Sequence, residues 1–188
     1  MIRAAASTQP LGGISSLMTN VRYLGILVVL LIAPLPSLAQ STPRSVAARF
    51  YRACVKLQIR GLPNKKQRKV LWPLLSPDLK QMFDAAEREQ SKYSRAHPED
   101  KPPWAEGNLF SSLYEGAQTF SLGVAKLNGD RAEITAHLSF KDRGGTERWT
   151  DTLILSRTRG RWLVWDIAFN GDWPLKTGNS LREVLKID

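Results

Sequence analysis

The sequence predicts an α+β domain in which N-terminal helices pack on an antiparallel sheet of four strands. Two observations support this prediction. Apolar residues recur at helical spacing through the first half of the domain, and from Ala117 onward they alternate with polar residues, as in half-buried strands. Helices followed by a meander of strands are typical of α+β domains, because the apolar stripe of a helix and the apolar face of a sheet bury each other.

Residues 1–39 have the composition of a secretory signal peptide, so they are excluded from the fold prediction. Arg22 precedes an uncharged apolar run of about ten residues at 24–33, and Ser37-Leu38-Ala39 provides small residues before a cleavage point. A membrane span needs about 20 apolar residues, so this run is too short to be one. We predict cleavage after Ala39, a periplasmic or secreted protein, and no transmembrane segment after cleavage. An uncleaved N-terminal membrane anchor is the alternative.

The initiator is open between Met1 and Met18, because a start at Met18 leaves a signal peptide of ordinary length. With either start, residues 40–188 are enough for a single domain with its own core. Cys54 is the only cysteine, so an internal disulfide is excluded. The domain must therefore be held together by its core in an oxidising compartment.

The charge of the predicted mature chain is strongly positive. Only Arg3 and Arg22 of the 27 Lys and Arg precede residue 40, and none of the 17 Asp and Glu does, which leaves a net charge of about +8. The basic residues are interpreted as spread out, with local concentrations at 65–69 and 157–161. An exported protein seldom meets nucleic acid, so the charge favours an anionic envelope surface, an acidic partner or solubility alone.

Three helices are predicted before the sheet. The first has Ser45 as its N-cap, and Gly61 with Pro63 ends it. A short basic helix follows at 65–72. Ser76-Pro77-Asp78 begins the third helix with a hydroxyl cap, a proline in the first turn and an acid near the positive helix end. The buried rows of the first and third helices are Val46, Phe50, Cys54, Leu57, Leu79, Met82, Phe83 and Ala86.

One long irregular connection separates the helices from the strands. It covers 99–107, follows His97-Pro98 and contains Pro102-Pro103-Trp104. Connections of this length are either functional loops or simple linkers, and the sequence leaves both roles open.

Four strands are predicted after Ala117, each with one apolar face. Asn128-Gly129-Asp130, Gly144-Gly145 and Arg159-Gly160 are the turns between them. Gly171 ends the sheet, and a short closing helix is expected over 180–186. The inward-facing residues are Phe120, Leu122 and Val124; Ile134, Ala136, Leu138 and Phe140; Trp149, Asp151, Leu153 and Leu155; and Leu163, Trp165, Ile167 and Phe169. We expect Trp165 to share one core with Phe50 of the first helix.

Four short segments carry a resemblance to a known family. They are Gly107-Asn108-Leu109-Phe110-Ser111-Ser112, Trp149-Thr150-Asp151, Gly160-Arg161-Trp162-Leu163-Val164-Trp165-Asp166-Ile167 and Gly171-Asp172-Trp173. With these segments the chain resembles the exported bacterial domain of unknown function 3828 over roughly residues 45–185. The resemblance implies a nuclear transport factor 2-like (cystatin-like cone) fold, with a curved antiparallel four-stranded sheet around helices and a pocket in the cone. The family has no settled activity, so the resemblance implies no catalytic residue.

The sequence contains none of the common catalytic motifs. It has no glycine-rich phosphate loop, no metal-spaced His or Cys cluster and no Gly-x-Ser-x-Gly elbow. His97 precedes a proline in a loop, and His137 alternates against the apolar face of its strand, so neither is expected to act as a base or a ligand. We predict no metal and no cofactor, and any catalytic residues are unknown.

Asp151 is the strongest polar candidate. Alternation places it on the same face as Trp149 and Leu153, so its side chain should point into the cone. A carboxylate in apolar surroundings resists ionisation, and general acids and bases are produced in this way. The alternative is a structural carboxylate that caps a backbone or pairs with an arginine. Asp166 should point to the other face unless a bulge shifts the register.

The tentative ligand-binding site is the mouth of the cone. Trp149, Asp151, Tyr114 and the Trp104 loop are expected to form it, with Tyr51 as a further hydroxyl donor inside the cavity. Aromatic walls with a few polar groups are typical of small-molecule pockets. This set of residues therefore predicts a binding site at the mouth of the cone.

Three function classes are open. A non-catalytic envelope protein that binds a small ligand or a protein partner is favoured, because only half of a base–donor pair is identifiable. The second class is an interaction module, such as an inhibitor or immunity-type protein, acting through its basic surface. The third is a lyase, isomerase or hydrolase of the cone superfamily that uses Asp151. A homodimer is compatible with each class, and nucleic acid is not expected as a partner.

Overall fold

The computed structural model describes residues 41–173 and 178–187, so the predicted signal peptide and its cleavage site lie outside the described residues. The predicted α+β fold class is confirmed, because helices pack on one antiparallel sheet. The helices are α1 (Pro43–Leu57), α2 (Lys65–Leu71), a 3-10 turn (Trp72–Leu74), α3 (Pro77–Ala96) and α4 (Leu181–Val184). The strands are β1 (Thr119–Leu122), β2 (Lys126–Asn128), β3 (Arg131–Asp142), β4 (Gly145–Thr158) and β5 (Arg161–Phe169).

Side-chain caps define where the helices begin. Ser76 caps α3, as its position in the sequence predicts, and Ser180 caps α4. Asn64 caps α2 in a capping box with Gln67. The cap of α1 is Thr42 rather than the predicted Ser45, whose backbone N–H instead donates to the Thr42 hydroxyl. Pro43 in the first turn explains the earlier start, because proline has no N–H to leave unsatisfied there.

The sheet has the strand order β1-β3-β4-β5, and β2 also pairs with β3. Among the described residues it therefore has five strands, because the predicted first strand is interrupted at Gly123 and its two parts lie end to end along β3. Val124, predicted to face inward, lies in this interruption and is 85% exposed. The free edge of β5 is partly covered, because Leu75 and Ser180 form bridges with it.

A bulge in β5 changes the predicted face of two tryptophans. Ile154 pairs with Asp166 but Leu155 pairs with Val164, so Trp165 is an extra residue in the ladder. Trp162 is therefore buried in the core, whereas Trp165 is only half-buried. The expectation that Trp165 shares a core with Phe50 is wrong for this reason. Asp166 lies on the outer face with Ile154, as the sequence predicts.

One hydrophobic core lies between the helices and the inner face of the sheet. Phe50 is fully buried and contacts Phe110 edge-on, with ring centroids 5.8 Å apart. Phe83 of α3 contacts the same ring at 5.7 Å. The inner face of the sheet is filled by Ala132, Ile134, Ala136, Leu138, Leu153, Leu155, Val164 and Ile167. Side chains therefore occupy the interior in which the resemblance implies a pocket.

Within the described ranges, no helix combines the length and the hydropathy that crossing a membrane requires. All described residues belong to one compact unit.

Candidate functional site

Asp151 is the centre of a buried hydrogen-bond network, and its side chain is fully buried. Its Oδ2 accepts from the backbone N–H of Ser112 at 2.9 Å and from Nε1 of Trp149 at 3.2 Å. Its Oδ1 accepts from Oγ of Ser112 at 2.7 Å and from the backbone N–H of Asn170 at 3.1 Å. A carboxylate offers about four lone-pair sites, so these four donors use its full capacity.

The loop before the sheet is shaped so that it presents Ser112 to this network. Oδ1 of Asn108 accepts from the backbone N–H of Phe110 at 2.9 Å, which forms an Asx turn. Nδ2 of Asn108 donates to the carbonyl of Ile59 at 3.0 Å, and its backbone N–H donates to the carbonyl of Tyr114 at 2.8 Å. Asn108 thus fixes the loop to the helical half and closes it around Ser112.

The segment after β5 reaches the network through a close approach at Gly171. A Cβ atom at this position would lie 2.3 Å from Nε1 of Trp173 and 2.5 Å from Oγ of Ser112. Real Cβ atoms do not approach other atoms so closely, so only glycine fits here. Trp173 then packs edge-on against Trp149, with ring centroids 5.9 Å apart. Three of the four segments that carry the family resemblance, 107–112, 149–151 and 171–173, therefore meet in one cluster around Asp151.

The surroundings of Asp151 differ from those expected from the sequence. The expectation was a carboxylate in an apolar cone, whereas the structure gives it four polar donors and no exposure. A general base must reach a substrate proton through a free lone pair, and Asp151 has none available. The network joins the loop of Ser112, strand β4 and the segment after β5. Its arrangement is that of a structural centre.

Tyr51 lies in the core beside this network and is 1% exposed. Its ring stacks on Phe120, with centroids 5.7 Å apart. Among the described residues its hydroxyl has no hydrogen-bond partner. Burial, and then the negative charge of the neighbouring Asp151, raise the pKa of Tyr51 well above its usual value. Tyr51 is therefore a neutral core residue.

Trp104 and Tyr114 line a small cavity of about 340 Å³ beside α4. Nε1 of Trp104 donates to the carbonyl of Val184 at 2.8 Å. The hydroxyl of Tyr114 donates to Glu106 at 3.0 Å, and Lys101 pairs with the same carboxylate at 2.7 Å. Hydrogen bonds from Lys101 and then Tyr114 hold the pKa of Glu106 below its usual value. The polar groups of this cavity are thus largely paired with one another.

A larger groove of about 710 Å³ runs across β1, β3 and β4 and ends at the segment after β5. We call it the sheet groove. Its lining residues are Thr119, Phe120, Ser121, His137, Leu138, Ser139, Arg148, Trp149, Thr150, Asn170, Gly171, Asp172 and Trp173.

The polar side chains of the sheet groove form two rows across the strands. Thr119, Ser139 and Arg148 are paired neighbours in the first row. Ser121, His137 and Thr150 form the second row. Both rows alternate with Phe120, Leu138 and Trp149, which pack on the core side, so they project from the opposite face of the sheet. This face therefore presents hydroxyl, imidazole and guanidinium groups to solvent.

The structure does not bring the five predicted site residues into one cavity. Trp149 lines the sheet groove, Trp104 and Tyr114 line the small cavity, and Asp151 and Tyr51 are buried between these regions and the core. Ser112 lines the small cavity and Trp149 lines the sheet groove, so the Asp151 network forms the wall that separates the two.

Sequence reasoning missed Arg148, Thr150 and Asn170 as candidate binding residues. The available signal was the polar half of each alternating strand. His137 lies on the exposed face, as predicted. Within residues 41–173 and 178–187, no group of three or more His, Cys, Asp or Glu could hold a metal ion.

No protein-family model and no curated protein sequence matches this chain. The resemblance to domain of unknown function 3828 therefore stays a prediction.

Similar solved structures include a SEC-C motif protein from Rhodopseudomonas palustris, with 14% identity and a TM-score of 0.40 over 70% of this chain and 80% of that one. A chain of the type VI effector–immunity complex Tae3–Tai3 from Ralstonia pickettii has 15% identity and a TM-score of 0.37 over 71% and 99%. An NTF-2 like protein of unknown function from Shewanella oneidensis has 11% identity and a TM-score of 0.35 over 65% and 94%. Likenesses this weak assign no function, and the fold class rests on the elements described above.

Proposed function

We propose that this protein is an exported, non-catalytic binding module whose ligand lies in the sheet groove. The observation that carries the proposal is the engagement of Asp151 by four donors inside the fold. Acid or base chemistry would need this inward carboxylate, but its oxygens are already occupied by hydrogen bonds from within the fold. The accessible polar groups lie instead on the opposite face, in a groove of about 710 Å³.

The chemistry of the groove favours a polyhydroxylated ligand such as an oligosaccharide. Trp173 lines the groove and is half-buried, so the exposed part of its ring offers apolar surface for a sugar ring. Ser, Thr, Asn and Arg side chains of the same lining supply both hydrogen-bond donors and acceptors. The hydroxyls of Thr119 and Ser139 already bond each other at 2.6 Å, which fixes two of these groups in place.

A titration with tri-N-acetylchitotriose, followed by tryptophan fluorescence, tests this proposal. Trp149 and Trp173 lie in the groove, so ligand binding should change their emission. Arg148→Ala should weaken binding at least about ten-fold, because it removes a charged donor from the ligand. Arg95→Ala is the matched control, since Arg95 is an exposed arginine on α3 outside the groove lining. Equal affinity of the two variants, or no response to any soluble cell-wall oligosaccharide, would reject the groove as the site.

Export is the second part of the proposal, and the order of segments in residues 1–39 supports it. N-terminal sequencing of protein from the envelope fraction should begin at Gln40. A full-length cytoplasmic product would contradict export and leave the groove to be tested separately.

A further inference from the structure

The positive charge of this protein is concentrated in its first two helices. Residues 41–77 contain nine Lys or Arg and no Asp or Glu, because Asp78 is the first acidic residue of the chain. Residues 78–188 contain 16 basic and 17 acidic residues. The net charge of the predicted mature chain thus comes entirely from the segment that forms α1 and α2. The basic residues were interpreted as spread out along the chain, and this is wrong for the net charge, which is concentrated in residues 41–77.

The basic residues of α1 lie along one exposed stripe. Arg49, Arg52 and Lys56 are exposed, and their spacing of three and four residues places them on one side of the helix. The opposite side of α1 carries Val46 and Phe50, which are buried in the core. The helix is therefore amphipathic, and every charged residue on its polar side is basic.

Helix α2 adds a second basic surface next to α1 in the fold. Lys65, Lys66 and Lys69 are exposed. Val70 is 47% exposed, four residues after Lys66, so an apolar side chain stands among the lysines. We call six of the exposed basic residues of the two helices the basic surface: Arg49, Arg52, Lys56, Lys65, Lys66 and Lys69.

The fold does not neutralise this surface. Among residues 41–173 and 178–187, ion pairs reach only one of the nine basic residues of the segment, Arg68, which contacts Asp84 at 2.8 Å and Glu87 at 3.1 Å. The six residues of the basic surface take part in none of the ion pairs there. Unpaired like charges on two adjacent helices repel each other, so an external anionic partner stabilises them.

We propose that the basic surface docks this protein on an anionic phospholipid bilayer. Specific protein interfaces are built around buried aromatic anchors and contain few lysines. The basic surface has the opposite composition, with long, exposed, cationic side chains and no aromatic centre. Clusters of four to eight Lys or Arg attract anionic headgroups through their summed charge. An exposed apolar side chain among them, here Val70, adds contact with the interfacial region.

Sedimentation with phosphatidylglycerol-containing vesicles at low salt tests the proposal, with pure phosphatidylcholine vesicles as the neutral comparison. The variant is Arg49→Gln, Arg52→Gln and Lys56→Gln. Each basic residue near an anionic surface contributes a factor of about five, so this triple change should lower the partition coefficient about 100-fold. High salt should abolish binding of the unmodified protein, since it screens exposed charges.

The matched control is Arg88→Gln, Lys92→Gln and Arg95→Gln. These residues are exposed on one stripe of α3, and their substitution changes the net charge equally, so vesicle binding should stay within about three-fold of the unmodified protein. Circular dichroism reports whether each variant is folded. If the α1 variant fails to fold, Lys65→Gln, Lys66→Gln and Lys69→Gln in α2 should produce the same loss of binding.

Three outcomes overturn the proposal. Equal loss in the α1 and α3 variants would show that only net charge matters. Equal binding to neutral vesicles would assign adsorption to apolar residues elsewhere. Selective capture of an acidic protein or of nucleic acid, with no binding to vesicles, would assign the surface to another partner. The α1 variant should keep its affinity for tri-N-acetylchitotriose, so failure of this proposal and failure of the sheet groove are separable.

Discussion

The two faces of the central sheet use polar residues in opposite ways. Asp151 on the inner face is fully buried and accepts four hydrogen bonds from the protein itself. Thr150, its neighbour in β4, is partly exposed and lines the sheet groove. A lone inward carboxylate therefore indicates a structural role when the chain itself supplies its hydrogen-bond donors. Groups available for binding are found where the polar half of the alternation reaches solvent.

Phe50→Ala should produce the largest loss of stability, because it removes a fully buried ring from the core on the inner face of the sheet. We expect the free energy of unfolding to fall by about 3 to 5 kcal/mol. Urea denaturation measures it, with binding of tri-N-acetylchitotriose to the remaining folded protein unchanged. A loss below about 1 kcal/mol would place Phe50 outside the core.

Trp165→Ala should have a smaller effect, because the bulge moves this residue out of the core. The guanidinium groups of Arg131 and Arg182 lie over its ring at 3.8 and 4.3 Å. Cation–π contacts of this kind contribute about 0.5 to 1 kcal/mol each, so we expect a loss of about 1 to 2 kcal/mol in urea denaturation. A loss as large as that of Phe50→Ala would contradict the bulge and restore the simple alternation.

Tyr51→Phe should raise the free energy of unfolding by about 1 kcal/mol, because it removes a buried hydroxyl that has no partner in the described residues. The pH dependence sharpens the test. Burial and the neighbouring Asp151 raise the folded-state pKa of Tyr51 above 10.0, so folding favours the neutral phenol. The free energy of unfolding linked to this proton is fully present below pH 10 and is lost as the pH rises further. Thermal unfolding between about pH 8 and pH 11 should therefore show a smaller alkaline loss in the variant than in the unmodified protein. A destabilised variant would indicate that the hydroxyl is satisfied.

Thr150→Ala should have the smallest effect on stability, below about 0.5 kcal/mol, because a partly exposed side chain on the outer face holds no part of the core. The same substitution should weaken binding of tri-N-acetylchitotriose. A variant with normal binding and reduced stability would contradict the assignment of ligand binding to the outer face of the sheet.

The sequence predicts best those features that depend on neighbouring residues. The cap at Ser76 was predictable because a cap lies within four residues of the backbone groups that it satisfies. Buried faces along β3 and β4 follow directly from alternation. The bulge at Trp165 was not predictable, because an extra residue in β5 is defined only by its pairing with β4.

The role of Asp151 also required the fold. Two of its donors belong to Ser112, 39 residues earlier, and to Asn170, 19 residues later. A local sequence pattern cannot predict contacts between residues so far apart in the chain. The segments that carry the family resemblance contained Ser112 and Trp149, but only the structure shows that they meet. The charge asymmetry between α1–α2 and the rest is present in the sequence alone, because residues 41–77 contain nine basic residues and no acidic one.

Asp151→Asn tests whether Asp151 has a structural role, through the free energy of unfolding measured in urea. The amide would place its NH2 group against two of the four donors, so we predict a loss of about 2 to 3 kcal/mol, with tri-N-acetylchitotriose affinity retained in the folded fraction. Stability within about 0.5 kcal/mol of the unmodified protein, combined with loss of binding or of a catalytic turnover, would contradict the account and make Asp151 a functional carboxylate.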